Sequence, residues 1–391
     1  MHIVNVVDIF YPDAGYENNV LSKYMVGLGH KYTVLTTEYL DFDSFFYSDN
    51  IKNRDEHFSQ ETGVEILRLN HKGLISGRVI WNYSLFKKTL ALLDPDIVFL
   101  CGNDTLIAIQ YLLDPFTNKE NVIMDSHMLE MASKNRFAKI FRGFYKYIVA
   151  PIIINNNIKV IRVQDDDYVE RCLGIPLNLS PFISFGTDTM LFSVSTEKRY
   201  RFRELHNIAM DDFVVIYAGK FDEAKGGLLL AETLKDRFDT DRKIVFLLIG
   251  NTYGEYGAEV EEILSKSENR IMRFATQKYV DLAEYYCAAD LAIFAKQCSL
   301  SFYDVQACGL PVLSEDNIIN IARCSHDNGW NFMAGSVEDF RNKLMEIFSM
   351  EDSLYSLYKE NAVKFISNGY DYAVKAKEYE KIFIEDVLKL K

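Results

Sequence analysis

FVVIYAGKFDEAKGG, residues 213–227, is the stretch on which the reading of this chain turns. Its first six residues are an unbroken apolar run, the composition of a strand buried on both faces of a parallel sheet. Gly219 then turns the chain, and Lys220 and Lys225 stand at the carboxyl edge of that sheet beside the start of a helix. Backbone N–H groups at a helix N-terminus favour an anion, and two ammonium groups five residues apart can flank a diphosphate. A second stretch, DVQACGLPV at 304–312, sets Asp304 ahead of the small residues Ala307, Cys308 and Gly309, then Pro311 and a new apolar run. A carboxylate at such a strand-to-helix connection can hold ribose hydroxyls. Together the two stretches suggest a sugar nucleotide, with its phosphates on the lysines and its ribose on the aspartate. Singly, a strand–Gly–Lys–helix turn is common in any parallel α/β domain and is equally a solvated turn.

Outward from these motifs, short β-branched runs alternate with helical stretches. HIVNVVDIF, YTVLTTE, VEILRLN, DIVFLCG, VIMDSH and KVIRVQ read as strands in the first half, with helices over 17–28, 80–93, 105–113 and 134–149. FVVIYAGK, KIVFLLIG, RIMRFAT, LAIFA and PVLSE repeat the pattern, with helices over 227–236, 256–266, 280–289 and 302–308. This is the signature of two α/β domains, each a doubly wound parallel sheet. Ligands of such sheets bind outside the carboxyl ends of the strands, so a site shared across a cleft is expected. Pro181 and Gly186 break the rhythm, and the expected domains are 1–195, 196–365 and a helical tail, 366–391, that returns to the first.

The 391 residues exceed what one core usually serves. A net charge of −13 excludes a general nucleic-acid surface. Six scattered cysteines without a C-x-x-C pair read as reduced core residues, and seven histidines without metal spacing give no metal signature. The opening MHIVNVVDIF has no cationic leader, and YIVAPIII at 147–154 is far shorter than the roughly 20 residues that span a bilayer. One region departs from the overall charge. Residues 131–163 carry Lys134, Arg136, Lys139, Arg142, Lys146, Lys159 and Arg162 and no acid. Phe137, Phe141, Phe144, Tyr145 and Tyr147 interleave them at helical spacing, the composition of a helix lying on anionic lipid through residues 134–148. The other reading is a solvated helix with an ordinary aromatic core face. A cytoplasmic protein, peripheral on the inner face of the plasma membrane, is the expectation.

With these motifs in this order, the chain resembles the GT-B glycosyltransferases of glycosyltransferase family four, the retaining, group 1 type, from about residue 20 to 350. FYPDAGYENNVLSKYMVGLGHKYTVLTT (10–37) is similar to that family's first strand, glycine loop and helix. SFGTDTMLF (184–192) is similar to its interdomain segment, GKFDEAKGG to its diphosphate turn, and DVQACGLPV to its E-A-x-A-C-G-x-P-V segment. The resemblance implies the GT-B architecture, two Rossmann-like domains facing across a cleft. It implies that Gly219, Lys220 and Lys225 hold the donor diphosphate, that Asp304 replaces a glutamate on the ribose, and that Gly15 lets backbone approach the donor phosphate or the acceptor. His127, at the end of VIMDSH, would point towards the donor sugar, with Asp125 on the same strand face; a structural histidine is the alternative. The implied reaction is transfer from a nucleotide diphosphate-sugar to a glycan or lipid-linked acceptor. In a front-face route the departing diphosphate takes the acceptor's proton, so neither cofactor nor metal is required.

The family pattern fails at one place. Lys296 stands where a glutamate is expected eight residues before Asp304, and the run AKQCSLSFYDVQA is about three residues short. Ser299 and Ser301 would then line the donor site, or cap the following helix. A catalytically weak or inactive scaffold of the same fold is therefore an alternative. A nicotinamide oxidoreductase is disfavoured, because YPDAGYEN replaces G-x-G-x-x-G after the first strand.

Overall fold

A computed structural model describes residues 1–40, 50–75, 77–128 and 137–389. The chain divides into two compact units, Met1–Phe185 with Ala373–Lys391, and Gly186–Tyr372. The divisions fall before 195/196 and after 365/366 for a local reason. Thr187 N–H donates to the Tyr370 carbonyl, Tyr372 N–H donates to the Thr187 carbonyl, and the Thr189 hydroxyl donates to Asp371. The incoming and outgoing segments are thus strapped together within the second unit.

In the first unit, β1 (His2–Val6), β2 (Lys31–Thr37), β3 (Glu65–Leu69), β6 (Ile97–Leu100), β7 (Val122–Ser126) and β8 (Lys159–Arg162) form one parallel sheet in the order β3-β2-β1-β6-β7-β8. Side chains alternate across it, as the pleat requires. Val4, Val6, Val98, Leu100 and Met124 pack on one face. Ile3, Ile97, Phe99 and Ile123 pack on the other, against Ala376, Tyr379 and Phe383 of the helix Tyr372–Lys389. That helix is amphipathic, and its apolar residues at i, i+3 and i+7 cover the sheet. An unforeseen hairpin, β4 (His71–Ile75) with β5 (Arg78–Trp81), is hidden in sequence by Gly73 and Gly77, which break its apolar alternation and adopt positive φ.

The second unit repeats the plan. β9 (Phe213–Ala218), β10 (Ile244–Ile249), β11 (Arg270–Phe274), β12 (Leu291–Phe294), β13 (Val312–Glu315) and β14 (Gly329–Phe332) run parallel in the order β11-β10-β9-β12-β13-β14. β14 was not foreseen, because GWNF is short and opens on glycine. A Cβ at Gly329 would collide with the Val312 carbonyl, so the residue that disguises the strand is the one that lets it pair.

The helix expected over 134–149 runs as Ala138–Phe144, a π turn at Tyr145–Val149, and Ala150–Asn155. Lys134 and Arg136 lie outside the described residues. Pro151 lacks an N–H, and the π turn before it absorbs the missing rung. Among the described residues no helix is long and apolar enough to cross a membrane.

The helix Thr196–Leu205 is anchored through Arg203, which is fully buried. Its guanidinium pairs with Asp290 at 2.8 Å and donates to the carbonyls of Ala288, Ala209 and Asp212. Asp290 also pairs with Arg199 at 2.8 Å, so removing Arg203 leaves that carboxylate a partner while the buried hydrogen bonds of the guanidinium are lost. Arg203→Met should therefore cost about 1–3 kcal/mol, the penalty for buried groups left unsatisfied, in urea denaturation followed at Trp330 of the same unit.

Candidate active site

At the end of β9 the backbone is compressed. Gly219 N–H donates to the Ile249 carbonyl at 3.0 Å, and a Cβ at Gly250 would overlap the Gly219 carbonyl. A Cβ at Gly227 would lie 2.9 Å from the Phe221 backbone, and one at Gly226, which has φ +73°, 2.9 Å from the Lys296 Cβ. Only glycine allows these approaches. Asp222 closes the turn by accepting the Lys225 N–H at 2.9 Å, and the Tyr217 hydroxyl donates to the Lys220 carbonyl at 2.6 Å. Lys220 is exposed, whereas Lys225 is half-buried with its Nζ donating to the Cys298 carbonyl at 3.1 Å. Burial lowers the Lys225 pKa against the pull of Cys298 and Asp222, and Lys220 and Arg323 add to the fall. Such crowding of cations is relieved when an anion binds among them.

The shortened run after β12 is pinned to this turn. Lys296 Nζ donates to the Glu223 carbonyl at 3.1 Å, Gln297 N–H to the Glu315 carboxylate at 2.5 Å, and Arg323 to the Ser299 carbonyl at 3.0 Å. Gln297 holds φ +61°, a strained value for a residue with a Cβ. The Arg323 guanidinium lies over the rings of Tyr303 and Phe302, 4.8 and 5.4 Å from their centres. Sequence reasoning missed Arg323, which sits in a helix with no motif of its own. Ser299 and Ser301 are half-buried, and the helix Ser301–Ala307 starts after Leu300 with no side-chain cap, so the capping alternative is not realised.

Asp304 turns inward. It is buried, and its Oδ1 accepts from the hydroxyls of Thr187 at 2.6 Å and Tyr279 at 3.4 Å. Burial raises its pKa to about 7, opposed by these two hydroxyls and reinforced by Asp188. Thr187 belongs to the SFGTDTMLF segment, so two of the motifs meet directly inside the second unit.

In the first unit the site residues collect where β1, β6 and β7 end. Gly15 is half-buried in the turn before the helix Glu17–Gly27. His127 follows β7 with its side chain about one-third exposed, and its Nε2 lies 3.0 Å from Asp125 Oδ2 and 3.4 Å from Glu17 Oε2. Cys101 Sγ is 3.8 Å from the same nitrogen. Burial works to lower the His127 pKa, but Asp125 and Cys101 overcome it and raise it well above the usual imidazole value. Burial pushes the Cys101 thiol up to about 11. Glu17 and Cys101 were not singled out in the sequence. Neither sits in a spacing with His127, because the sheet order, not the chain, makes them neighbours.

Residues 212–350 match the family model described as Glycosyl transferases group 1. No curated protein sequence matches the chain. Among solved structures, a glycosyltransferase from Rickettsia africae is 17% identical with a TM-score of 0.77, over 100% of this chain and 99% of that one. Anabaena Alr3699/HepE in complex with UDP-glucose is 14% identical with a TM-score of 0.74, over 98% and 100%. The sucrose-phosphate synthase of Thermosynechococcus elongatus is 15% identical with a TM-score of 0.72, over 98% of each chain. The second unit is thus similar to group 1 glycosyl transferases over most of its length, and the whole chain has the GT-B glycosyltransferase fold.

The inward carboxyl of Asp304 has a thermodynamic consequence. With a folded pKa of about 7 against an ordinary 3.8, the native state holds a proton that the unfolded chain has lost across that window. The stability this supplies is full below the unfolded value and disappears as pH rises through 7. Asp304→Asn keeps an acceptor for Thr187 and lacks the titration. Its stability relative to the wild type should rise between about pH 4 and 8, by roughly 1.4 kcal/mol per unit of pKa difference at most. Paired urea titrations across that range measure it.

Proposed function

We propose that this chain is a retaining glycosyltransferase, which moves a sugar from a nucleotide diphosphate-sugar to a glycan or lipid-linked glycan acceptor in the assembly of a surface polysaccharide or glycolipid. The observation that carries the reading is the compressed turn after β9, which sets Lys220 and Lys225 at the carboxyl edge of the sheet with Arg323 close by. A diphosphate bears about two negative charges and fits such a cluster. HepE, a structure of the same fold, is known in complex with UDP-glucose, which favours a donor of that class here.

In this mechanism the lysines neutralise the charge that grows on the β-phosphate as the glycosidic bond breaks, a stabilisation selective for the transition state. The departing diphosphate accepts the acceptor's proton, so the reaction requires no metal. Gly219 keeps the turn low enough for phosphate to approach. Ser299 and Ser301 offer hydroxyls beside it. For Asp304 to meet the ribose, its buried carboxyl has to turn out from Thr187 and Tyr279. His127 contacts the donor sugar, and the loop at Gly15 borders the donor phosphate or the acceptor.

A lipid-linked acceptor would be reached from an anionic membrane surface. Along the helix from 137 to 155, Phe137, Ile140, Phe144, Tyr147, Ile148 and Ile154 are exposed at helical spacing, 67% for Phe137, 71% for Ile140 and 75% for Tyr147. Lys139 and Lys146 are exposed beside them, while Tyr145 is buried in the core. The apolar side chains therefore divide into a core face and an outward face with cations at its margin, the arrangement of an interfacial helix.

Lys220→Ala and Lys225→Ala should each lower turnover of the preferred nucleotide sugar about 10²-fold, by comparison with other preorganised charge stabilisers. Full turnover in both variants would exclude the diphosphate site, and nucleotide binding with no turnover of any donor would favour the scaffold reading. The wild type should sediment with anionic but not neutral vesicles, and this should weaken with salt and in the double variant Lys139→Glu/Lys146→Glu. Equal sedimentation with both vesicle types would remove the membrane surface.

A further inference from the structure

One buried group is used by nothing so far. Glu17 opens the helix Glu17–Gly27 and is only 3% exposed, and burial raises the pKa of its carboxyl to about 7 against the pull of His127 and the Tyr379 hydroxyl. Its Oε1 accepts the hydroxyl of Tyr379 at 2.5 Å, and its buried Oε2, which has no hydrogen bond, lies at an ion-pair distance of 3.4 Å from His127 Nε2. Asp125 is arranged in the same way. Gly102 N–H holds its Oδ1 at 2.5 Å, and the buried Oδ2 lies 3.0 Å from the same nitrogen. Each acid thus has one oxygen fixed by the scaffold and one aimed at a single edge of the imidazole.

Such convergence fits either a proton or a metal ion. Cys101, Asp125 and His127 bring their ligand atoms within 4.8 Å of one another. Metal bonds of about 2.0–2.3 Å in tetrahedral geometry keep ligand atoms about 3.3 Å or more apart. The 3.0 Å separation of Asp125 and His127 is below that and fits an ion pair with a protonated ring. The distances favour a proton on Nε2.

We propose that Glu17 and Tyr379 are positioning residues for His127: Tyr379 locks Glu17, and Glu17 with Asp125 fixes the imidazole with Nε2–H inward, leaving Nδ1 to meet the donor sugar. The proposal rests on the transferase reading for what Nδ1 meets, but not for the orientation. Other polar groups at the cluster include Cys101, Asn18, which donates to the Cys101 sulfur at 3.2 Å and accepts from Asn5 at 2.8 Å, and Tyr32 of β2; the Phe185 ring packs on the imidazole with centres 5.6 Å apart. An inward Nε2–H between two acids makes Nδ1 more basic, so the ring carries its second proton at neutral pH and donates it in a hydrogen bond to a sugar oxygen. Tyr379 belongs to the last helix of the chain, which gives that helix a part in the site beyond covering the sheet.

The test is nitrogen-15 NMR of the full-length, ligand-free protein labelled at histidine, with Tyr379→Phe and Glu17→Gln compared to the wild type. His127 of the wild type should show the Nε2–H tautomer when neutral and titrate above ordinary histidines. Both variants should lower that midpoint and admit the other tautomer, and Tyr379→Phe should cut kcat about tenfold with donor KM within about twofold. An unchanged tautomer and midpoint in both variants would overturn the proposal and leave the transferase reading intact. The expected NMR changes with no turnover of any donor would instead sustain the positioning and remove the transferase reading. A Co²⁺ titration giving a thiolate charge-transfer band that is lost in Cys101→Ser would make the cluster a metal site and also overturn it.

Discussion

The close approach of backbone to backbone at the end of β9 is the constraint on which the second unit depends. Gly226, Gly227 and Gly250 sit where a side chain would strike a neighbouring strand or turn, and one at Gly219 would crowd the Tyr217 hydroxyl. With no Cβ in the way, the loops after β9 and β12 lie against each other, and Lys225 reaches the carbonyl of Cys298 while Lys296 reaches that of Glu223. The cost is cationic crowding, which burial sharpens at Lys225. On the proposed reading, a bound anion would relieve that crowding.

Both units use one topology to bring distant residues together. A parallel sheet ordered 3-2-1-4-5-6 reverses direction between its first and fourth strands, and the loops leaving those two strands diverge to open a crevice. In the second unit these are β9 and β12, whose loops carry the lysines and the shortened run. In the first they are β1 and β6, and the loops at that edge carry Gly15, Glu17 and Cys101, with His127 at the end of the adjacent β7. The fold therefore decides where chemistry can occur, and the side chains at those loop tips decide which chemistry it is.

The strands of both sheets were legible because short β-branched, largely apolar runs alternate with helical stretches, and eleven of the twelve announced themselves that way. The twelfth, β14, begins with a glycine that pairing itself demands. The lysine turn was legible because glycine and lysine spacing is local. The partners of the site residues were not. Tyr379 meets Glu17 across 362 residues and Thr187 meets Asp304 across 117, and no periodicity records either pairing. Asp304 illustrates the limit most clearly: its position in the motif suggested an open carboxylate, whereas the packing of SFGTDTMLF turns it inward and raises its pKa. The residues that hold a site together are buried polar groups, which in sequence look like ordinary helix and strand residues.

The central claim, that the turn after β9 is a diphosphate site, is tested most directly by calorimetric titration of the wild type and Lys225→Ala with UDP, GDP, ADP and dTDP. One nucleoside diphosphate should bind the wild type selectively and with an affinity that falls with salt. Loss of a charge-assisted hydrogen bond of about 1.5–3 kcal/mol should weaken it roughly 10- to 100-fold in the variant. Absence of binding by all four, or equal affinity in the two proteins, would contradict the account.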